Sequence, residues 1–236
     1  MHVAVLGLGE AGGRLAADLR AAGCEVRAWD PARPEASAAS DRAAVEGADV
    51  VLSVNSAAVA HAVATGVADA LPARALYADL NTAAPALKRQ LADAVPVDFA
   101  DVALVGVVPA TGLATPALAS GPGAERFAEL FRPLGMPVDV VENAAALKLL
   151  RSVFMKGVAV AAIEALAGAE AAGEVSRVRA DIASVIGEPL LERFLEGSRA
   201  HAVRRTEEMR AAAAYLEELG VAPRIATAAA DWLESL

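Results

Sequence analysis

GLGEAGGRLA, residues 7–16, is the stretch that decides the fold. It sets Gly7, Gly9 and Gly12 in the spacing G-x-G-x-x-G, directly after the apolar run HVAVL at 2–6. The first glycine permits a tight turn, the second lets a pyrophosphate approach the backbone, and the third lets the following helix lie close to the strand. Free N–H groups at the start of that helix, with Leu8, Glu10 and Ala11 around them, make a ready anion site. The spacing alone is weak evidence. Here it joins a strand to an amphipathic helix, and a second strand-like run ends on Asp30, about 20 residues on, which completes the context of a dinucleotide-binding βαβ unit.

Asp30 is placed to take the adenosine ribose hydroxyls, and its charge disfavours a 2′-phosphate, so NAD is favoured. Arg33, close beyond it, could swing onto a 2′-phosphate and keeps NADP open. Asn55, just past the third strand-like run, joins the candidate cofactor residues because ligands of such folds bind at the carboxyl ends of the strands.

Outward from this unit, short β-branched runs alternate with alanine-rich helical stretches. Strands are expected at 2–6, 25–29, 49–54, 75–79 and 97–105, with weaker ones at 117–120 and 137–142. Helices are expected at 10–22, within 37–46, and at 57–70, 83–94 and 124–131. The alternation predicts an α/β Rossmann fold with a mostly parallel, doubly wound sheet. From Asn143 to about Ala172 neither proline nor a strand-like run intervenes, and a helix of that length is on the order of 45 Å long. Further helical segments follow at 175–186, at 189–219 with a break near Gly197, and at 223–236. The expected organisation is a dinucleotide-binding domain over 1–142 and a smaller all-α domain over 143–236, joined by the long interdomain helix. A domain under about 100 residues with many apolar faces favours a homodimer, so substrate binding and dimerisation are both expected there.

Composition narrows the function classes. The 236 residues carry a formal net charge of −9, and 56% are hydrophobic but only 4% aromatic. An acidic chain without basic runs or interleaved aromatics is a poor nucleic-acid ligand. Charge or proline interrupts the apolar runs, the strongest of which, 157–163, is closed by Lys156 and Glu164, so no membrane span is expected. Cys24 is the only cysteine and His2, His61 and His201 are scattered, so neither a disulfide nor a metal site is expected. With no basic leader before the first strand, the expected location is the cytoplasm.

Three further stretches carry chemistry: ADLNTAAP at 78–85, ENAAALKLLRS at 142–152 and HAVRRTEEM at 201–209. In this order they resemble the β-hydroxyacid dehydrogenase and 6-phosphogluconate dehydrogenase superfamily, in a divergent branch with a short 6-phosphogluconate-dehydrogenase-like C-terminal domain. The resemblance implies an NAD(P)-dependent oxidoreductase that moves a hydride between nicotinamide and a small hydroxy or keto compound. It implies a nicotinamide-side loop of Asp79, Asn81, Thr82 and Pro85, with Asn81 in place of the family's serine. It puts Lys148 where the family has its general acid/base and Ser152 where a partner asparagine lies. The family's carboxylate-holding segment falls on 101–107, where Gly106 is kept but Val105 and Val107 replace a serine and a glycine. A valine cannot hydrogen-bond a carboxylate, which argues against ordinary 3-hydroxyacids.

Lys148, Ser152 and Lys156 share one slowly drifting face of the long helix. A base must first be free of its own proton, and Arg151 is the nearby cation expected to help Lys148 in this. Lys156 lies too far along the axis for that and is expected to bind substrate, as are His201 and Arg204, which form a helical cluster with Arg205 and Glu208. The bland reading of that cluster is a solvated, salt-bridged face. Two alternatives stand beside the dehydrogenase: an imine reductase-like enzyme, a relative that usually lacks the lysine, and a non-catalytic nicotinamide-binding regulatory protein.

Overall fold

The computed structural model describes residues 1–33 and 35–236. The strand-like runs become β1 (His2–Leu6), β2 (Glu25–Trp29), β3 (Val50–Ser53), β4 (Leu76–Asp79), β5 (Asp98–Leu104), β6 (Ala117–Ser120) and β7 (Val138–Val140). They form one sheet in the order β2-β1-β3-β4-β5-β6-β7. The first five are parallel, β6 is antiparallel to β5, and β7 is again parallel to β6. The chain steps from β1 out to β2, then returns past β1 to β3. The loops after β1 and β3 therefore diverge at the carboxyl edge, which is the switch point where ligands of open α/β sheets bind.

Alternation along β1 sends Val3 and Val5 into one core layer and Ala4 and Leu6 into the other. Helices α1 (Glu10–Ala21), α2 (Asp41–Val45), α3 (Ala57–Val67) and α4 (Pro85–Ala94) follow the first four strands. A four-residue helix, α5 (Val108–Thr111), was too short to leave a periodic signal, and α6 (Ala124–Phe131) precedes β7. Leu15 and Leu19 of α1 close the first layer with Phe127 and Phe131, whose rings stack 4.3 Å apart. Val45, Ala60, Ala64 and Leu91 close the second. β3 and β4 are buried along their whole length, as parallel strands covered on both faces must be.

The chain divides into two compact units, Met1–Lys148 and Leu149–Leu236, with the division inside the long helix α7 (Ala144–Ala172). The second unit continues with α8 (Val175–Ile186), α9 (Glu188–Ala200), α10 (Ala202–Glu218) and α11 (Arg224–Glu234). Val160, Met209, Ala226, Ala230 and Leu233 form its main apolar cluster. A Cβ on Gly157 would come within 2.6 Å of Ile225 Cγ2, so the glycine is what admits α11 beside α7.

Two expectations need correction. The break in 189–219 falls at His201, not near Gly197, which stays helical inside α9. A Cβ on Gly197 would lie 2.5 Å from the Arg205 guanidinium, the far end of a flexible side chain. The absence of a membrane-length apolar stretch also fails as a statement about helices. By length and composition α7 could cross a bilayer, with a mean hydropathy of 1.5 over an 18-residue window of which 33% is buried inside the chain. Its charged residues, Lys148, Arg151, Lys156, Glu164 and Glu170, are spaced widely enough to leave such a window between them.

Candidate active site

The glycine loop sits at the carboxyl edge of β1. Gly7 takes φ +109°, and a Cβ there would lie 2.5 Å from the Val54 carbonyl oxygen. A Cβ on Gly12 would lie 2.0 Å from the Gly7 carbonyl oxygen. The chain's own packing therefore explains both. Gly9 is different: it caps α1 with no side-chain hydrogen bond, and a Cβ there would meet nothing within 4 Å. An open face beside the backbone at the start of α1 is what a pyrophosphate requires. A dinucleotide fits this loop.

Asp30 follows β2 and is partly buried. Its Oδ2 accepts the Leu8 N–H at 2.7 Å and its Oδ1 accepts the Ala32 N–H at 2.8 Å. Each oxygen keeps a lone pair, enough for a pair of ribose hydroxyls. The carboxylate thus also ties the glycine loop to β2. Arg33 is exposed beside it.

Sequence reasoning missed the most heavily engaged group of this edge, Lys88. It stands on the inward face of α4 with Pro85 and Leu91 and is 5% exposed. Its Nζ donates to Asp79 Oδ2 at 2.6 Å and to the Asp79 carbonyl at 3.0 Å, and lies 2.9 Å from Asp101 Oδ1. Burial pulls its ammonium down, but Asp79 and Asp101 outweigh this and hold it above the ordinary lysine value. The available signal was a lysine at an inward helical position with an aspartate on each of two neighbouring strands, Asp79 at the end of β4 and Asp101 within β5. The network then runs both ways. Asn81 Nδ2 donates to Asp79 Oδ1 at 2.6 Å, and lies 3.2 Å from Ser53 Oγ and 3.1 Å from Asn55 Oδ1. Asp101 Oδ2 accepts from Ser120 Oγ at 3.2 Å and from the Ala145 N–H at 2.9 Å, and Ser120 Oγ accepts the Ala144 N–H at 3.0 Å. So Asn55 and Asn81 come together, and the start of α7 is fastened to the same edge. Thr82 is half-buried in the loop that follows Asn81.

Lys148, half-buried, stands one turn past that fastened start, and Arg151 after it is exposed. Gly106, after β5, is exposed and crowds Thr115, whose Cγ2 lies 3.0 Å from where a Cβ would be. In the second unit Ser152 and Lys156 meet Glu208 of α10. Ser152 Oγ donates to Glu208 Oε1, and Lys156 Nζ donates to the same oxygen at 2.7 Å and to Ser152 Oγ at 3.1 Å. Burial, with Arg205 and Arg204 nearby, brings the Lys156 ammonium below the ordinary lysine value against the pull of Glu208. His201 caps α10 rather than sharing its face, Arg204 is exposed, and Arg205 donates to Ser198 Oγ at 2.8 Å.

Residues 2–117 match the NAD binding domain of 6-phosphogluconate dehydrogenase, and 169–236 match a C-terminal domain of unknown function, DUF1932. A conserved hypothetical protein from Sinorhizobium meliloti is 31% identical, over 99% of this chain and 87% of that one, with a TM-score of 0.72. The chain belongs to the β-hydroxyacid dehydrogenase and 6-phosphogluconate dehydrogenase superfamily. Two other members of the comparison share its fold. The 3-hydroxyisobutyrate dehydrogenase of Mycobacterium tuberculosis, solved with L-serine, is 20% identical over 99% of this chain and 92% of that one, with a TM-score of 0.79. An imine reductase variant from Myxococcus stipitatus, solved with NAD+, is 21% identical over 99% and 92%, with a TM-score of 0.65. No curated protein matches the chain. Within the superfamily, the first unit is the nicotinamide dinucleotide-binding domain.

Proposed function

We propose that this superfamily member is an NAD(P)-dependent oxidoreductase of a small hydroxy or keto compound, with Lys148 as general acid/base. The observation that carries the reading is the fastening of α7. Asp101 and Ser120 take the Ala145 and Ala144 N–H groups, so Lys148 follows directly from the carboxyl edge that holds the glycine loop. When bound, the nicotinamide accepts or supplies the hydride. Gly7, Leu8, Gly9, Glu10, Ala11 and Gly12 seat the pyrophosphate, Asp30 the adenosine ribose, and Asn55, Asn81 and Thr82 the nicotinamide side. Lys148, once free of its own proton, takes the hydroxyl proton as the carbon is oxidised, and returns it to the carbonyl oxygen in reverse. Ser152 supports it. Gly106, Lys156, His201 and Arg204 are the substrate-side residues, with Glu208 as counter-charge to Lys156. Asp30 favours NAD, with Arg33 the route to NADP. The enzyme works in the cytoplasm as a homodimer built through its helical unit.

One observation favours imine reduction as the second reading. Val107, in the segment that aligns with the family's carboxylate-holding residues, is apolar and 46% exposed, which suits a neutral substrate. A panel of small hydroxy acids, keto acids, ketones and cyclic imines with both cofactors separates the readings. Turnover of hydroxy or keto compounds supports the first, and turnover of cyclic imines alone supports the second. Tight cofactor binding with no hydride transfer to any of them would mark a non-catalytic binding protein.

A further inference from the structure

Asn81 follows β4, on the opposite side of β1 from Asp30. A dinucleotide with its adenosine ribose at β2 and its pyrophosphate at β1 extends its other half over β3 and β4, where Asn81 and Asn55 meet. The amide of Asn81 is not free to present either end. Its NH2 group is turned towards three acceptors: Asp79 Oδ1, Ser53 Oγ and Asn55 Oδ1. An ionised carboxylate only accepts hydrogen bonds, so turning the amide over would set its oxygen against that of Asp79. The oxygen Oδ1 is therefore the end with which Asn81 meets any further donor. Asp79 is buried, 0% exposed, and a buried charge is costly without a partner. Lys88 is that partner.

We infer that Asn81 accepts, through Oδ1, the amide NH2 of the nicotinamide carboxamide, and that Lys88, acting through Asp79, is the positioning residue that keeps the Asn81 amide this way round. The inference rests on the nicotinamide site of the preceding reading. It also gives chemical content to Asn81 standing where the family's serine would be. A hydroxyl both donates and accepts, whereas an amide held by a carboxylate offers an acceptor alone.

The test compares NADH with ADP-ribose, which carries the adenosine and both phosphates but no nicotinamide. In Asp79→Asn, Lys88 still demands an oxygen from residue 79, so the new NH2 turns towards Asn81 and forces its amide to flip. In Lys88→Met, Asp79 loses the cation that holds its carboxylate in place against Asn81, and the Asn81 amide loses its fixed orientation. Both variants should bind NADH about three- to tenfold more weakly, the worth of one hydrogen bond, with ADP-ribose affinity held to within about twofold. Equal losses for both ligands, or no loss for either, would overturn the inference and leave the cofactor reading standing. A wild-type protein that binds neither ligand would overturn both. Should Lys88→Met fail to fold, Asp79→Asn decides alone, because it keeps Lys88 paired with Asp101.

Discussion

Gly9 and Gly12 stand three residues apart in one motif and answer to different forces. A Cβ on Gly12 would strike the Gly7 carbonyl oxygen, so Gly12→Ala should destabilise the protein by about 3 kcal/mol in denaturant titration, the cost of overpacking against backbone. A side chain on Gly9 meets only open space, so Gly9→Val should leave the melting temperature unchanged while weakening NADH binding by at least about tenfold. The motif was legible because its spacing is a backbone requirement. Lys88 was not, because a single lysine on an amphipathic helix reads as solvated until the two aspartates that face it are known. Glu208 is a similar case. Removing its charge in Glu208→Gln leaves Lys156 largely buried without a counter-ion, at a cost of about 2–3 kcal/mol. The Lys156 value, already lowered by burial, then falls further, so over the interval below the ordinary lysine value the unfolded chain binds more protons than the native one. Stability therefore rises with pH across that interval, and the deficit of Glu208→Gln measured by urea titration should shrink as pH is raised.

At the scale of elements, the strands were legible from alternating or continuous apolar runs, and even the weak runs at 117–120 and 137–142 yielded β6 and β7. What no local pattern could give was the reversal of β6 against β5, which is a property of pairing and not of either strand. The break between α9 and α10 misled for a related reason. Glycine marks a helix end only where its backbone freedom is used, and Gly197 keeps helical backbone inside α9. The start of α7 is the element on which the reading of Lys148 depends. Ser120→Ala removes the acceptor of the Ala144 N–H and should cost about 1 kcal/mol of stability. Turnover should fall beyond what that loss of stability explains, since Lys148 is placed by the same turn. A stability loss with unchanged turnover would separate the helix start from the chemistry.

At the scale of the molecule, the part of α7 in the second unit leaves Leu150 and Phe154 exposed, one turn apart. The homodimer proposed above through the helical unit would use these side chains. Sedimentation should give a dimer for the wild type and a monomer for Phe154→Asp. The family and the order of its parts were legible from the glycine loop, the Asp79 loop and Lys148, because these are short motifs with fixed chemistry. The substrate was not, because the segment at 101–107 that would hold it has Val105 in place of the family's serine. In the proposed reaction Lys148 moves the proton of a hydride transfer supported by the first unit. The most direct test measures NADH binding and turnover together, in the wild type and in Lys148→Ala, on whichever compound the substrate panel identifies. The predicted result is NADH affinity unchanged and turnover lowered by about 10²- to 10⁴-fold, the usual contribution of general acid–base catalysis. Turnover in Lys148→Ala equal to the wild type, with cofactor still bound, would contradict the account.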